Sequence, residues 1–126
     1  MQRILIVEDD MDIQELLQEF LQEAGYKADI AGDGVAAVDM FANNLYDYDL
    51  ILLDILLPKI DGFTVCELIR KQSQVPIIML TALGSEGDQI KGLDLQADDY
   101  VTKPFSMPVL LRKIAAVLRR TGNRED

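Results

Sequence analysis

The chain has no histidine and no tryptophan, a single cysteine, four prolines, and little more than half as many basic as acidic residues. Each shortage excludes something. Without imidazole there is no Ser/His/Asp triad and no histidine-containing zinc site. One cysteine, Cys66, permits neither an internal disulfide nor a CxxC redox pair. It lies at helical spacing with Phe63 and Ile69, which is the setting of a packed core thiol. Twelve Lys and Arg against 22 Asp and Glu leave a formal charge of −10. That balance repels nucleic acid and acidic membrane surfaces, and it invites cations or basic partners. No run approaches the ~18 apolar residues of a membrane span. The opening "MQRILIVEDD" has no apolar region ahead of a cleavage site. The expectation is a cytoplasmic chain that binds neither nucleic acid nor membrane directly.

What is present is a core. Almost half of the 126 residues are hydrophobic, enough for one domain of ordinary size. Short apolar runs, Ile4–Val7, Lys27–Ala31, Leu50–Leu53, Pro76–Leu80 and Tyr100–Thr102, alternate with segments of helical spacing. The first of these helices carries Ile13, Leu16, Leu17, Phe20, Leu21 and Ala24 on one stripe. Asp10 is placed to cap it and Gly25 to end it. Further helices are predicted over Val35–Ala42 with Val38 and Phe41 inward, from Gly62 onward, over Glu86–Leu95, and over Met107–Arg120. Five strands alternating with five helices predict an α/β fold, a parallel sheet covered on both faces. Residues 1–120 form the domain. Residues 121–126 read as a polar tail and the start of a linker to a further domain.

In such sheets, sites form at the carboxyl ends of the strands. Glu8, Asp9 and Asp10 follow the first run, and Asp54 follows the third, in "LILLDILLPKIDG". Thr81 follows the fourth and Lys103 the fifth. Carboxylates brought to one edge repel one another unless a cation intervenes. Hard oxygen ligands suit Mg²⁺, with Mn²⁺ the alternative. Asp54 interrupts a run of seven apolar residues. An unpaired carboxylate in an apolar interior costs several kcal/mol, so it is expected at the mouth of the sheet, its charge offset by metal and lysine.

"ILIVEDD", "LILLDILLPKIDG", "PIIMLTA" and "DDYVTKPF" together resemble the signatures of the response-regulator receiver domain of two-component signalling. The likeness runs from Arg3 to about Arg120. It implies a flavodoxin-like, doubly wound five-stranded sheet of order 2-1-3-4-5. It implies that Asp54 accepts a phosphoryl group from a phosphohistidine on a sensor histidine kinase. Glu8, Asp9, Asp54 and the Leu56 backbone carbonyl are then the Mg²⁺ ligands. Thr81 and Lys103 hold phosphoryl oxygens, and Ala82 leaves room for them. Thr81 and Tyr100 form the switch that alters the face of the fourth predicted helix, fifth strand and fifth predicted helix. Lys-Pro in this family often includes a cis peptide. Such a domain is no enzyme in the turnover sense, since it catalyses only its own phosphotransfer and slow dephosphorylation. Leu56 and Leu83, two positions after the acceptor and the switch threonine, flank the path of an attacking water.

The sequence around "LDLQADDYVTKPF" is similar to receivers of winged-helix transcriptional regulators, which form homodimers through that same face when phosphorylated. Lys91, Asp94, Asp98 and Asp99 are set against Arg112, Lys113 and Arg119. Val109 stands where that subfamily usually has an acid, and Ala115 replaces a usual base, so the dimer is expected to be weak. Rival functions fit less well. An aspartyl-phosphate hydrolase needs two aspartates two apart after the first strand, a pattern "VEDD" lacks. A flavin-binding module needs a Ser/Thr/Gly-rich phosphate loop where this chain has "EDDMD". A docking module without phosphorylation needs none of the five matched site residues.

Overall fold

The computed structural model describes residues 2–43, 47–81, 94 and 96–122. In chain order the elements are β1 (Arg3–Val7), α1 (Met11–Glu23), β2 (Lys27–Ala31), α2 (Gly34–Asn43), β3 (Leu50–Asp54), α3 (Gly62–Arg70), β4 (Ile77–Thr81), β5 (Asp99–Thr102) and α4 (Met107–Gly122). The helix expected over Glu86–Leu95 lies outside the described residues apart from Asp94. The last helix, expected as the fifth, is therefore α4 here. Among the described residues, no helix is long and apolar enough to cross a membrane.

Side chains alternate between the two faces of a strand, and here both faces are apolar. Leu5, Val7, Ile51, Leu53, Ile77 and Met79 belong to one core cluster, which α2 and α3 complete with Phe41, Phe63, Cys66 and Ile69. Ile4, Ile6, Leu50, Leu52, Ile78 and Leu80 belong to the other, completed by Leu17 and Leu21 of α1 and Leu110, Ile114 and Val117 of α4. Each such side chain is worth roughly 1.5–3 kcal/mol when fully buried. The central strands therefore admit polar groups only at their ends. All neighbouring strands run parallel in the order β2-β1-β3-β4-β5, as the family likeness implies. Ile4 lies opposite Leu50, Asp54 opposite Leu80, and Thr81 opposite Thr102.

Local chemistry sets the helix ends. Asp10 caps α1, its carboxylate accepting from the Asp12 and Ile13 amides. Asp61 does the same for α3 through Thr64. α1 closes on Ala24, followed by Gly25 at φ 95°. The predicted stripe of α1 is wider than the face the sheet covers. Leu17 and Leu21 are fully buried at its centre, but Leu16 and Ala24 at its margins are exposed. At the amino-terminal end of the sheet, Arg3 donates from Nε and Nη2 to Asp29 Oδ2 at 2.9 and 2.5 Å. Its guanidinium lies 4.9 Å from the Tyr48 ring centroid, and the Tyr48 hydroxyl donates to the same Asp29 oxygen at 2.8 Å.

Candidate functional site

Three successive acids leave β1, and each has a different fate. The Glu8 amide donates to the Ala31 carbonyl at 3.1 Å, which carries the β1–β2 pairing one residue further. Gln14 of α1 donates from Nε2 to the Glu8 carbonyl at 2.6 Å. Held in this way, Glu8 is only 1% exposed. Its Oε2 accepts from the Asp10 amide at 3.2 Å. Asp9 is exposed, and the Asp10 carboxylate is spent on the α1 cap.

Asp54 is the last residue of β3 and is 3% exposed. It is buried more deeply than a residue at the mouth of the sheet. Lys103 is what makes this tolerable. It follows β5, and its Nζ donates to Glu8 Oε1 at 2.6 Å and to Asp54 Oδ2 at 3.0 Å. One ammonium thus serves two buried carboxylates from two other strands. The remaining oxygen, Asp54 Oδ1, accepts from the Leu56 amide at 3.3 Å. The Lys103–Pro104 peptide is cis.

Burial pushes the Glu8 carboxyl up. The Lys103 hydrogen bond pulls it down, the Asp54 charge adds to the rise, and the net direction is upward. For Lys103, burial alone favours the neutral amine. The hydrogen bonds to Glu8 and Asp54 and their charges outweigh it, so the group is raised and remains an ammonium at neutral pH.

Glu8, Asp9 and Asp54 each present a carboxylate oxygen, and these atoms lie within 4.8 Å of one another. Three carboxylates facing one ammonium leave an excess of negative charge. The donors are hard oxygens, one of them on the exposed Asp9. This donor set fits Mg²⁺ or Mn²⁺.

The other expected site residues fall on the same edge or beside it. Thr81 ends β4, in register with Thr102. Tyr100 lies in β5 opposite Met79, half-buried against the cluster on the α2–α3 side. Leu56, two residues after Asp54, is 55% exposed. Ala82, Leu83 and Lys91 lie outside the described residues. The charges expected to meet between copies have partners within the chain. Asp99 pairs with Lys113 at 3.4 Å, and Asp98 with Arg70 at 3.3 Å. The sequence sets Glu8 and Lys103, 95 residues apart, at one edge, but it assigns the lysine to the Asp54 charge and does not show that its shorter bond is to Glu8. Only the strand order makes them neighbours. Arg70 was also missed. At the end of α3 it donates to the carbonyls of Val75 and Gln96 at 2.6 and 2.8 Å, tying that helix to the starts of β4 and β5.

Residues 4–115 match the family model of the response regulator receiver domain. The chain is 50% identical over 121 residues to a probable transcriptional regulator, ycf27, of Guillardia theta, covering 96% of this chain and 47% of that one. It is 45% identical over 124 residues to the DNA-binding dual master transcriptional regulator RpaA of Synechocystis, covering 96% and 51%. Among solved structures, the beryllofluoride-activated receiver domain of Klebsiella pneumoniae RstA superposes with a TM-score of 0.88 at 36% identity, covering 94% of this chain and 99% of that one. The chain spans about half the length of the curated relatives it matches.

Proposed function

The chain belongs to the response regulator receiver domain family, and we propose that its working event is transfer of a phosphoryl group from a sensor histidine kinase to Asp54. One observation carries the reading. A buried carboxylate at a strand end shares one ammonium with a second buried acid, beside an exposed third. Such a cluster costs stability, and phosphoryl transfer gives it a use.

An Asp54 oxygen forms the new P–O bond while the P–N bond of the donor imidazole breaks, its electron pair staying on that nitrogen. A carboxylate is a weak nucleophile, so positioning and charge neutralisation must do most of the catalysis. Glu8, Asp9, Asp54 and the Leu56 carbonyl would hold Mg²⁺, which when bound would offset the repulsion between the acids and the incoming anion. The Lys103 ammonium, poised at 3.0 Å from Asp54, turns to a phosphoryl oxygen as the charge there develops. Thr81 donates its hydroxyl to another oxygen. Tyr100 then reorients and alters the face formed by β5 and α4.

In this reading the chain works in the cytoplasm and does not itself bind DNA. RpaA is named a DNA-binding transcriptional regulator, and on that likeness the output is control of transcription through sequence outside this domain. Phosphorylation favours a homodimer through the β5–α4 face. The pairing is weak, because Asp98 and Asp99 already hold cations of their own chain and exposed pairs contribute only about 0–1 kcal/mol each.

Acetyl phosphate with Mg²⁺ should add one phosphoryl group by intact mass, and Asp54→Asn should abolish it. Equal labelling of the Asn variant sinks the assignment. Beryllofluoride should shift sedimentation toward dimer, and a pure monomer at full phosphorylation counts against the dimer.

A further inference from the structure

The loop that follows Asp54 is gripped from the side by the start of α2. Gly34, the first residue of α2, is buried. Its amide faces the Pro58 carbonyl at 3.4 Å. A Cβ built on Gly34 would lie 2.3 Å from the Ile60 carbonyl oxygen and 2.9 Å from the Ile60 Cβ. Asp33, one residue earlier, accepts from the Ala36 amide at 2.8 Å, which caps α2. Its other oxygen pairs with Lys59 at 3.4 Å. Lys59 holds φ 71°, a left-handed conformation unusual for a lysine. The loop's far end is closed as tightly. The Gly62 amide donates to the Ile55 carbonyl at 2.8 Å, and a Cβ on Gly62 would lie 2.2 Å from the Asp54 carbonyl oxygen.

We propose that the Asp33–Gly34 turn is a positioning element for the acceptor loop, and that Gly34 sets the divalent-cation affinity of the Glu8–Asp9–Asp54 site. The proposal deepens the receiver reading and rests on it for the role of Leu56. The mechanics are direct. A side chain at position 34 meets backbone, which cannot rotate away, so one partner must shift by about 1 Å to restore ordinary contact. α2 is anchored by Ala37 and Phe41, both fully buried. The loop is exposed at Leu56, Pro58, Lys59 and Asp61, so the loop gives way. It cannot slide toward Gly62, where the backbones already touch. The displacement is passed toward Leu56, whose amide sits on Asp54 Oδ1 and whose carbonyl is the backbone ligand of the reading above.

The test is Mn²⁺ binding to the unphosphorylated chain, read from the paramagnetic resonance signal of the free ion. Gly34→Ala should raise the dissociation constant about tenfold, within the ten- to hundredfold range seen when groups supporting metal ligands are lost. Gly32→Ala is the matched control, since a Cβ there meets only Gln14 Nε2 at an ordinary 3.7 Å. Leu118→Ala, in the core on the opposite face of the sheet, controls for lost stability. Both should stay within about twofold of the parent. Lys59→Gly removes the ion pair and frees the left-handed position, and it gives a second reading should Gly34→Ala not fold. Its constant should rise about threefold.

Folded Gly34→Ala with parental affinity overturns the proposal, as does Leu118→Ala weakening Mn²⁺ equally, or an unchanged constant in Lys59→Gly. If the parent binds Mn²⁺ and Gly34→Ala weakens it, yet acetyl phosphate never labels Asp54, the positioning role stands and the phosphoacceptor reading falls. If Asp54 is labelled but Gly34→Ala binds normally, only the positioning role falls.

Discussion

Replacing Lys103 with methionine removes the ammonium and keeps a stem of similar length, so little packing is lost. Two charge-assisted hydrogen bonds disappear, at 2.6 Å to Glu8 and 3.0 Å to Asp54. The two carboxylates stay 1% and 3% exposed, now with no cation between them. Breaking a buried pair in this manner costs about 3–5 kcal/mol. Some of that is recovered as one carboxyl takes up a proton, so about 3 kcal/mol is expected at neutral pH in chelator. This is a large part of the ~5–15 kcal/mol that holds a domain together. A cation at a hundred times its dissociation constant returns about 2.7 kcal/mol to whichever form binds it. With its acids ionised the variant has the greater excess of negative charge, and the cation binds that form more tightly as it displaces the proton. Saturating Mg²⁺ should therefore narrow the gap between parent and variant by about 1 kcal/mol or more. Urea unfolding followed by circular dichroism, with chelator and with Mg²⁺, measures both quantities. A variant within about 1 kcal/mol of the parent in chelator, or a gap that Mg²⁺ leaves unchanged, would refute the view that Lys103 offsets two buried charges.

Leu56→Asn should shorten the life of the phosphorylated protein about tenfold, because an amide on this exposed position can orient an attacking water where a leucine crowds it. Decay after removal of the phosphodonor measures it, and unchanged or slower decay contradicts it. Asp29→Asn should destabilise the chain at neutral pH, with the penalty fading in acid. Partial burial pushes the Asp29 carboxyl up, but the Tyr48 and Arg3 hydrogen bonds outweigh it and hold the group low. A carboxyl held low contributes stability that is whole above the ordinary aspartate range, about pH 4, and is lost as pH falls through the folded value. Urea midpoints of parent and variant should converge on acidification, and parallel curves would count against the assignment.

The sheet was legible because its strands are written in short apolar runs, and each run ended within a residue of its expected place. Asp54, Thr81 and Lys103 could be set on one edge from those ends alone. Depth was not legible. Leu16 and Leu17 look equivalent in the helical pattern, yet which of them the sheet covers depends on how α1 is rotated against β1 and β2. Contacts that join distant segments were equally hidden. Asp33, Gly34 and Lys59 carry no mark of their meeting, since it exists only once α2 and the loop after β3 have docked. Asp98 and Asp99 read as acids facing the bases of a second copy, whereas Arg70 and Lys113 of the same chain lie beside them.

The bond between Glu8 and Lys103 has a consequence for how the chain is made. Its ends are 95 residues apart, and Asp54 lies 49 residues before the lysine. At about 5–20 residues per second of synthesis, roughly 2–10 seconds separate the emergence of Asp54 from that of Lys103. Throughout that interval a nascent chain displays Asp54 without the cation that pairs with it, and a chain truncated before β5 never acquires it. Under the proposed function, a phosphoryl group on Asp54 would therefore mark a molecule that has been translated through β5 and has docked that strand against the sheet.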